Sequence, residues 1–337
     1  MKPLAYNVLR LLADGEFRSG AVLAQASGMS RASVWNAVQE IEAAGLDVFR
    51  VRGRGYRLAQ PLSMLDAARM AQWLGDAAPF NLELVDETDS TNTLLLERAR
   101  AGAPHASVIA TEWQRAGRGR MNRPWHACIG GALTFSVLWR FSQGAATLAG
   151  LSLAVGLAVV RALETMGPGN ANDASGVGLK WPNDVLWRGR KIAGILIEMQ
   201  GEAMGPSAVV IGAGINVRLS PAVDTRIDQA AADLETVVGH AVDRNQLLAA
   251  LLHELNRVLL EFERHGFAAF REDWQRRHVH QGAAVRLTLP GGVSESGVAR
   301  GVGVDGSLLL ETARGVRSFH SGDVSLRAAR TTLRASV

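Results

Sequence analysis

The chain has little of what several common classes of protein require. Cys128 is its only cysteine among 337 residues, so no disulfide can form within the chain, and a reducing cytoplasmic location is predicted. No apolar run approaches the roughly twenty residues that a membrane span needs, so no membrane partner is predicted. Residues 1–12 lack a basic region followed by an apolar block and a small-residue cleavage site, so no secretory signal is expected.

Several well-known chemical motifs are also missing. The eight histidines show no metal-ligand spacing, and a single cysteine excludes a zinc–cysteine site, so no resident metal is predicted. No Gly-x-Ser-x-Gly sequence supports a serine hydrolase. The glycine-rich stretch around Gly117 is no dinucleotide fingerprint, because Asn122 replaces the third glycine, and no Walker loop, because Gly-Lys-Ser/Thr is absent there. An anion bound by this stretch must be held in another way.

The most informative feature that is present is residues 114–120, Gln-Arg-Ala-Gly-Arg-Gly-Arg, which follow a predicted strand over Ser107–Thr111. Glycine weakens a packed element and arginine is seldom buried without a partner, so this composition is not typical of a structural segment. Together they let the backbone approach a ligand while guanidinium groups converge on anionic oxygens. We call residues 114–120 the Gly/Arg loop and predict that it wraps around a phosphate or carboxylate.

The first sixty residues carry most of the net charge of +4 and have the pattern of a DNA-binding domain. Helices are predicted over Leu4–Leu12, after Ser19 and from Ser30 to Gly45, followed by two short strands around a turn at 52–55. This is the order of a winged helix-turn-helix, whose third helix enters the major groove while the wing follows the phosphates. A helical protein-interaction domain is the alternative. The predicted DNA contacts are Ser30, Arg31, Ser33, Trp35, Asn36, Gln39, Arg52 and Arg54.

A boundary at Pro61–Ser63 separates this head from the rest of the chain. Strands and helices then alternate, including a long helix predicted over Thr147–Met166, which favours an α/β or α+β domain. After His280, short strands between glycine turns predict a small SH3-like β-barrel. The predicted domains are 1–62, 63–278 and 279–337.

A second charged cluster lies at 180–184, Lys-Trp-Pro-Asn-Asp. Lys180 ends a predicted strand and Pro182 fixes a turn after it, so the lysine sits on a rigid element. A fixed ammonium suits the stabilisation of carboxylate or phosphate oxygens during an in-line displacement, although most lysines simply lie at the surface. Its occurrence with the Gly/Arg loop in one domain favours the functional interpretation.

Two further motifs have both a structural and a binding interpretation. The run 89–92, Asp-Ser-Thr-Asn, is either a helix N-cap or a set of groups that hold a small polar ligand head. Residues 212–214, Gly-Ala-Gly, are either a bend at the end of a strand over Val209–Ile211 or a surface on which a ligand chain lies flat. Neither motif alone decides between the two.

Taken together, five ordered motifs resemble those of the bifunctional biotin–protein ligases that also repress biotin operons, the BirA family. They are 89–92, Gln114 with 117–120, 180–184, Lys-Ile-Ala-Gly-Ile-Leu at 191–196 and Gly-Ala-Gly-Ile-Asn at 212–216. The resemblance covers essentially the whole chain. It implies an α+β protein with an N-terminal winged helix-turn-helix, a central mixed-sheet ligase domain like that of class II synthetases, and an SH3-like C-terminal β-barrel.

The resemblance also implies the reaction and its partners. Biotin and ATP, accompanied by Mg²⁺, would form biotinyl-5′-AMP, and biotin would then pass to a lysine of the biotin carboxyl carrier protein, a subunit of acetyl-CoA carboxylase. The N-terminal domain would bind operator DNA and repress biotin biosynthesis genes, and the chain would form a homodimer on binding ligand or DNA.

Residue roles follow from the same resemblance. Catalysis would fall to Lys180, Arg118 and Arg120, with the two arginines closing over the mixed anhydride. Biotin would contact Ser90, Thr91, Asn92, Gln114, Gly117, Arg118, Gly119, Arg120, Lys180, Gly212 and Gly214. The adenylate would contact Arg118, Arg120, Lys180, Asn183 and Asn216. Leu219–Leu234 contains no aromatic residue to pack on adenine, so Ile227 or neighbouring alanines would serve.

Two alternatives stay open at this point. A lipoate or other acyl-adenylate ligase would share the catalytic scaffold, although the arginine-rich loop and the DNA-binding head favour biotin. A ligand-sensing transcription factor with a vestigial enzyme domain belongs to a different class, and Lys180 with the complete Gly/Arg loop argues against it. Asn122, where the family commonly has glycine, is expected to tolerate a left-handed backbone.

Overall fold

The structure is a computed structural model that describes residues 1–75, 78–167, 176–201, 206–220, 229–289, 292–320 and 325–328. Its N-terminal part has the predicted order of three helices and a hairpin: α1 Pro3–Leu12, α2 Gly20–Ser27, α3 Arg31–Ala43, β1 Val48–Val51 and β2 Gly55–Leu58. The hydroxyls of Ser19 and Ser30 accept hydrogen bonds from backbone N–H groups three residues on, which caps α2 and α3. The third helix therefore begins where the sequence predicts.

A mixed sheet forms the centre of the chain. Its described strands are β3 Asn81–Thr88, β4 Ser107–Gln114, β5 Ala132–Phe141, β6 Val177–Lys180, β7 Asp184–Trp187, β8 Arg190–Gly201 and β9 Ser207–Asn216. They lie in the order β3-β4-β5-β9-β8-β7-β6, with β3 and β4 parallel and the other neighbours antiparallel. The alternation of strands and helices predicted from the sequence thus produces a mixed α/β layer.

Helices cover both faces of this sheet. They are α4 Ala67–Leu74, α5 Thr91–Arg100, α6 Leu151–Glu164, α7 Leu234–Val238, α8 Arg244–His265 and α9 Arg271–Arg276. Helices α6 and α8 pack together on the face where Val108 is buried, whereas α5 covers the face of Ile109. The opposite burial of two adjacent residues follows from the alternation of side chains along a strand. No described helix has both the length and the apolar surface that a bilayer crossing needs.

Two predicted elements have different bounds in the structure. The helix predicted over Thr147–Met166 is shorter, because Gly150 has φ +81° and α6 begins after it. A side chain at Gly150 would also lie 2.6 Å from Phe267, so this position requires glycine. Strand β4 continues past Thr111 to Gln114, which pairs with Thr88 in the parallel ladder. Gln114 therefore belongs to the sheet rather than to a loop.

The C-terminal segment forms one antiparallel sheet. Its strands are β10 Ala284–Thr288, β11 Ser294–Val302, β12 Leu308–Thr312, β13 Gly315–Phe319 and β14 Ser325–Ala328. Strand β10 pairs with β11 on one side and with β14 on the other, which places β13 and β14 at opposite edges. In the part of the chain that is described, the sheet is therefore not the closed barrel that the sequence predicts. It is joined to the central sheet by the Trp181 indole, which donates to the Gly306 carbonyl at 3.1 Å.

A buried ion pair fixes the segment that links the N-terminal helices to the central sheet. The side chains of Glu112 and Arg244 are 1% and 0% exposed and form a hydrogen-bonded ion pair. Arg244 also donates to the carbonyls of Ser63 and Ala132, and Glu112 accepts from the Leu65 N–H at 2.5 Å. Because these partners satisfy both charged groups, the pair holds residues 63–65 against β4 and β5.

Stability is expected to depend on pH through His278, which is 5% exposed and stacks on Trp274 at 4.7 Å between ring centroids. Burial lowers the pKa of His278 from 6.5 to about 4, and the charge of His280 acts in the same direction. Between these values the unfolded chain binds a proton that the folded chain does not, so stability falls as the pH falls, by at most about 1.4 kcal/mol per unit.

The test is to compare urea unfolding of the wild type and His278→Gln at pH 7 and pH 5. The difference in free energy of unfolding between the wild type and the variant should be smaller at pH 5 than at pH 7. The reason is that only the wild type loses stability through protonation of His278. An equal difference at both pH values would contradict the assignment.

Candidate active site

The sequence motifs meet in one cavity of about 330 Å³. Every residue assigned above to biotin or the adenylate lines it except two: Gly117, whose carbonyl accepts from the Trp125 N–H at 2.8 Å, and Ile227, which lies outside the described residues. Residues 90–92 reach the cavity from the start of α5, and the glycines of β9 form part of its wall. The convergence depends on the strand order, because β4, β5, β9 and β8 are neighbours in the sheet.

One end of the cavity is a hydrogen-bonded polar network, which we call the amide end; it comprises Thr91, Asn92, Gln114 and Ser136. Gln114 Oε1 accepts from the Thr91 N–H at 2.7 Å and lies 3.1 Å from its hydroxyl. The Ser136 hydroxyl donates to Asn92 Oδ1 at 2.6 Å and lies 2.7 Å from the Thr91 hydroxyl. Ser90 caps α5 by accepting from the Thr93 N–H. The 89–92 run is therefore both a helix cap and a part of the cavity.

Ser136 and Glu198 belong to this site although the sequence analysis did not select them. Ser136 is fully buried on β5, and Glu198 lies on β8 with its carboxylate 2.8 Å from Asn92 Nδ2. Each reads in the sequence as an ordinary strand residue. For Ser136 the available signal was a polar residue at a buried position of an apolar strand, since such a group needs a partner, whereas the half-buried Glu198 had no such signal.

The glycines of residues 212–214 lie inside β9, so they do not form a bend at the end of a strand. A Cβ at Gly212 would stand 2.1 Å from Asn92 Oδ1, and a Cβ at Gly214 would stand 2.6 Å from the Trp125 indole. Larger residues would therefore displace two side chains that line the cavity. These glycines make room for neighbouring side chains of the protein.

A second part of the cavity is basic, and we call it the basic end: Lys180 and Lys191 lie there beside Asp184, and Arg120 lies beside Asn183. The ammonium groups of Lys180 and Lys191 lie 3.5 Å and 2.6 Å from Asp184 carboxylate oxygens. Arg120 donates to Asn183 Oδ1 at 3.2 Å. The two ammonium groups outnumber the one carboxylate that pairs with them, which leaves positive charge that suits an anionic group.

The ammonium of Lys180 is only partly compensated by its surroundings. Burial lowers the pKa of Lys180, and the charge of Lys191 lowers it further, whereas Asp184 raises it. A bound anion would add favourable charge at this position. Lys180 ends β6, and residues 181–183 turn the chain into β7, so its backbone is held by the sheet.

The two arginines that the sequence predicts to act together both line the cavity but have different partners. The guanidinium of Arg118 donates to the Thr93 hydroxyl at 3.0 Å and to both carboxylate oxygens of Glu198 at 3.2 and 3.3 Å. Arg120 instead contacts Asn183 at the basic end. The loop then passes through Met121 and Asn122 with φ +57° and +54°, so Asn122 has the expected left-handed backbone.

The face predicted to contact DNA is accessible. Ser30, Arg31, Trp35 and Asn36 are exposed on or next to α3, and Ser33 and Gln39 are half-buried beside them. Arg52 and Arg54 are exposed at the tip of the β1–β2 hairpin, and Arg54 stacks on the Phe17 ring at 4.1 Å. The guanidinium groups of the hairpin are therefore accessible for contact with DNA phosphates.

Comparison with known proteins assigns the three parts of the chain. The Biotin/lipoate A/B protein ligase family matches residues 84–216, an HTH domain matches residues 5–57, and the Biotin protein ligase C terminal domain matches residues 280–327. The bifunctional ligase/repressor BirA of Salmonella typhimurium is 37% identical over 323 residues, covering 96% of this chain and 97% of that relative. The chain belongs to the BirA family.

Further matches agree with this membership. The biotin–[acetyl-CoA-carboxylase] ligase of Mycobacterium tuberculosis is 38% identical over 245 residues, covering 72% of this chain and 88% of the relative. The structure of a biotin protein ligase from Aquifex aeolicus in complex with biotin and ATP superposes with a TM-score of 0.62 at 28% identity, covering 74% of this chain and 99% of that one. This BirA-family chain is a biotin ligase that also carries the helix-turn-helix domain of a repressor.

Proposed function

We propose that this chain joins biotin to ATP and transfers it to a carrier protein. A biotin carboxylate oxygen attacks the α-phosphorus of ATP, pyrophosphate leaves, and biotinyl-5′-AMP forms. The ε-amine of a carrier lysine then attacks the carbonyl carbon of this mixed anhydride, AMP leaves, and an amide forms with loss of a proton. The observation that carries the proposal is one cavity with an uncharged polar network at one end and a cluster of cations at the other.

The two ends of the cavity fit the two ends of biotin. The amide end offers hydroxyl and amide groups that match the neutral ureido ring. In this proposal Lys180 and Arg120 of the basic end would meet the carboxylate and the α-phosphate, and Asn183 and Asn216, which also line the cavity, would contact the adenylate. The glycines of the Gly/Arg loop let its backbone approach the ligand and exclude water from the anhydride.

Mg²⁺ is proposed to enter with ATP rather than to reside in the protein. The described residues contain no group of three or more His, Cys, Asp or Glu side chains placed to hold a metal ion. Asp184 is the carboxylate at the basic end, and one carboxylate together with triphosphate oxygens suits this ion. When bound, it would neutralise phosphate charge and orient the pyrophosphate as it leaves.

The test of this function is to incubate the purified chain with biotin, ATP, Mg²⁺ and an apo carrier domain of acetyl-CoA carboxylase. Biotin should appear on the carrier lysine, and mass spectrometry would locate it. Octanoate and lipoate are the matched competing substrates. If either is attached and biotin is not, the chain is an acyl-adenylate ligase of the other class.

Replacing Arg120 with glycine is expected to let biotinyl-5′-AMP escape from the cavity. The variant keeps the loop backbone but removes the cation that lies with Asn183 at the basic end. The released adenylate would label lysines of a bystander protein such as serum albumin. The rate of this labelling should be at least about tenfold above wild type, because the loss of a charge-assisted contact of about 1.5–3 kcal/mol weakens binding by that factor or more. Arg52→Gly is the control, because Arg52 is exposed at the tip of the β1–β2 hairpin and does not line the cavity. If bystander labelling does not rise, Arg120 does not retain the intermediate.

We propose that the head binds operator DNA upstream of biotin biosynthesis genes and that the acceptor is the biotin carboxyl carrier protein. The exposed face of α3 and the arginines of the wing support DNA binding. A homodimer formed on ligand or DNA binding would match a palindromic operator. A cytoplasmic location stays a prediction from the sequence.

The decisive measurement for repression is a gel shift with the organism's own biotin-gene promoter. Binding should tighten when biotin and ATP are both present, and Arg31→Ala with Arg54→Ala should weaken it. A chain that labels carrier but never shifts this DNA would be a ligase without this regulatory role.

The finer organisation is also a proposal. We place the domain boundaries at 1–62, 63–278 and 279–337, supported by the buried linker at 63–65 and by the change to short antiparallel strands after residue 280. The C-terminal unit is proposed to be SH3-like and the central sheet to be of the class II synthetase type. Ile227, suggested as an adenine contact, lies outside the described residues.

A further inference from the structure

Glu198 lies directly behind the amide end, although the proposed reaction does not use it. Its carboxylate accepts from Asn92 Nδ2 at 2.8 Å and from the Arg118 guanidinium at 3.2 and 3.3 Å. It is not among the residues that line the cavity, so it would act through Asn92 and Arg118 rather than on the ligand. One carboxylate thus joins the N-terminus of α5 to the Gly/Arg loop.

The contact with Asn92 connects Glu198 to the whole amide end. Because Asn92 Nδ2 donates to Glu198, its Oδ1 faces Ser136, which donates to it at 2.6 Å. Ser136 in turn lies beside the Thr91 hydroxyl, and Thr91 contacts Gln114. A charged acceptor at the start of this chain therefore fixes which way each amide and hydroxyl faces.

The contact with Arg118 controls the charge at the amide end. Arg118 lines the cavity beside Thr93, and without its partner it would present a second cationic site, separate from Lys180 at Asp184. The carboxylate of biotin is attracted to any such site, whereas its ureido ring is neutral. Pairing Arg118 with Glu198 leaves the basic end as the stronger attractor for the carboxylate.

We propose that Glu198 is a positioning residue that makes the amide end specific for the neutral ureido ring of biotin. It orders the donors and acceptors of Asn92, Ser136 and Thr91, and it neutralises Arg118 while holding the Gly/Arg loop against α5. This inference rests on the proposed function, because it assumes that biotin lies with its ring at the amide end.

The experiment measures steady-state carrier biotinylation by the full chain with Glu198→Gln, Glu198→Asp and Arg118→Gln. Glu198→Gln should raise the KM for biotin about tenfold or more and change kcat less than about threefold, because it removes binding to the ring and leaves the basic end intact. Glu198→Asp, which keeps the charge, should give a smaller rise. The KM for biotin of the double variant Glu198→Gln/Arg118→Gln should be no higher than that of the more impaired single variant, because both changes break the same interaction.

Glu83→Gln is the matched control, because Glu83 forms an exposed pair with Arg98 at 3.4 Å and does not line the cavity. Its KM should equal that of the wild type. Unchanged KM in Glu198→Gln, or a fall in kcat alone, overturns the proposal. If Glu198→Gln lowers the melting temperature, Glu198→Asp provides the second test. A Glu198→Asp variant with the melting temperature of the wild type, but with a KM for biotin as high as that of Glu198→Gln, also overturns the proposal. A wild-type chain that labels no carrier with biotin would instead sink the proposed function itself.

Discussion

Lys180→Ala is expected to abolish measurable biotinylation of the carrier, a loss of about a hundredfold to a thousandfold or more in kcat. The ammonium of Lys180 lies at the basic end, 3.5 Å from Asp184, where charge would develop on the carboxylate and the α-phosphate. Both half-reactions need that charge, so the variant should also fail with chemically prepared biotinyl-5′-AMP. Pyrophosphate exchange measures the first step, and transfer from the prepared adenylate measures the second.

Lys2→Ala is the matched control for this prediction, because Lys2 is 83% exposed and lies in the head. It should leave both rates unchanged. The melting temperature of Lys180→Ala should stay close to that of the wild type, since burial opposes the charge that the mutation removes. An unaffected turnover in Lys180→Ala would show that the catalytic charge lies elsewhere.

Arg244→Met is expected to destabilise the chain by about 3–5 kcal/mol, because it leaves the fully buried carboxylate of Glu112 without its charged partner. Since native chains are stable by only about 5–15 kcal/mol, much of the protein would unfold at moderate urea concentrations. Glu112→Gln should also be destabilising, whereas Glu112→Leu/Arg244→Met should recover much of the loss because no buried charge remains.

Arg98→Met is the control for the buried pair, because Arg98 forms an exposed pair with Glu83. It should cost about 0–1 kcal/mol. Urea unfolding followed by tryptophan fluorescence and by circular dichroism compares the four variants. Equal losses for Arg244→Met and Arg98→Met would show that the buried pair contributes no more than a surface pair.

Local elements were predictable because their signals are local. The hydroxyls of Ser19 and Ser30 cap α2 and α3 where the sequence predicts, and the hairpin of β7 and β8 turns at 188–189. Errors arose where a distant contact changed a local preference. Helix α6 begins at Leu151 rather than at the predicted Thr147, because Gly150 has φ +81° and lies against Phe267, more than a hundred positions away.

The candidate site shows the same division. Its motifs were evident from composition. A run of glycine and arginine has few structural explanations, and so has a lysine held directly before a turn. Ser136 and Glu198 were missed because a polar residue in a strand has no local signature of function. Their roles depend on Asn92, which reaches them only when α5 packs on β4, β5 and β9.

The sequence by itself determined the family, the order of the parts and the residue types that meet an anion, because motif spacing and helix caps are properties of neighbouring residues. Only the tertiary structure decided that Arg118 pairs with Glu198 whereas Arg120 contacts Asn183, that Gly212 and Gly214 make room for Asn92 and Trp125, and that the described C-terminal sheet is open. The physical reason is that strand order and register set the distances between residues far apart in the chain, and no local pattern encodes them.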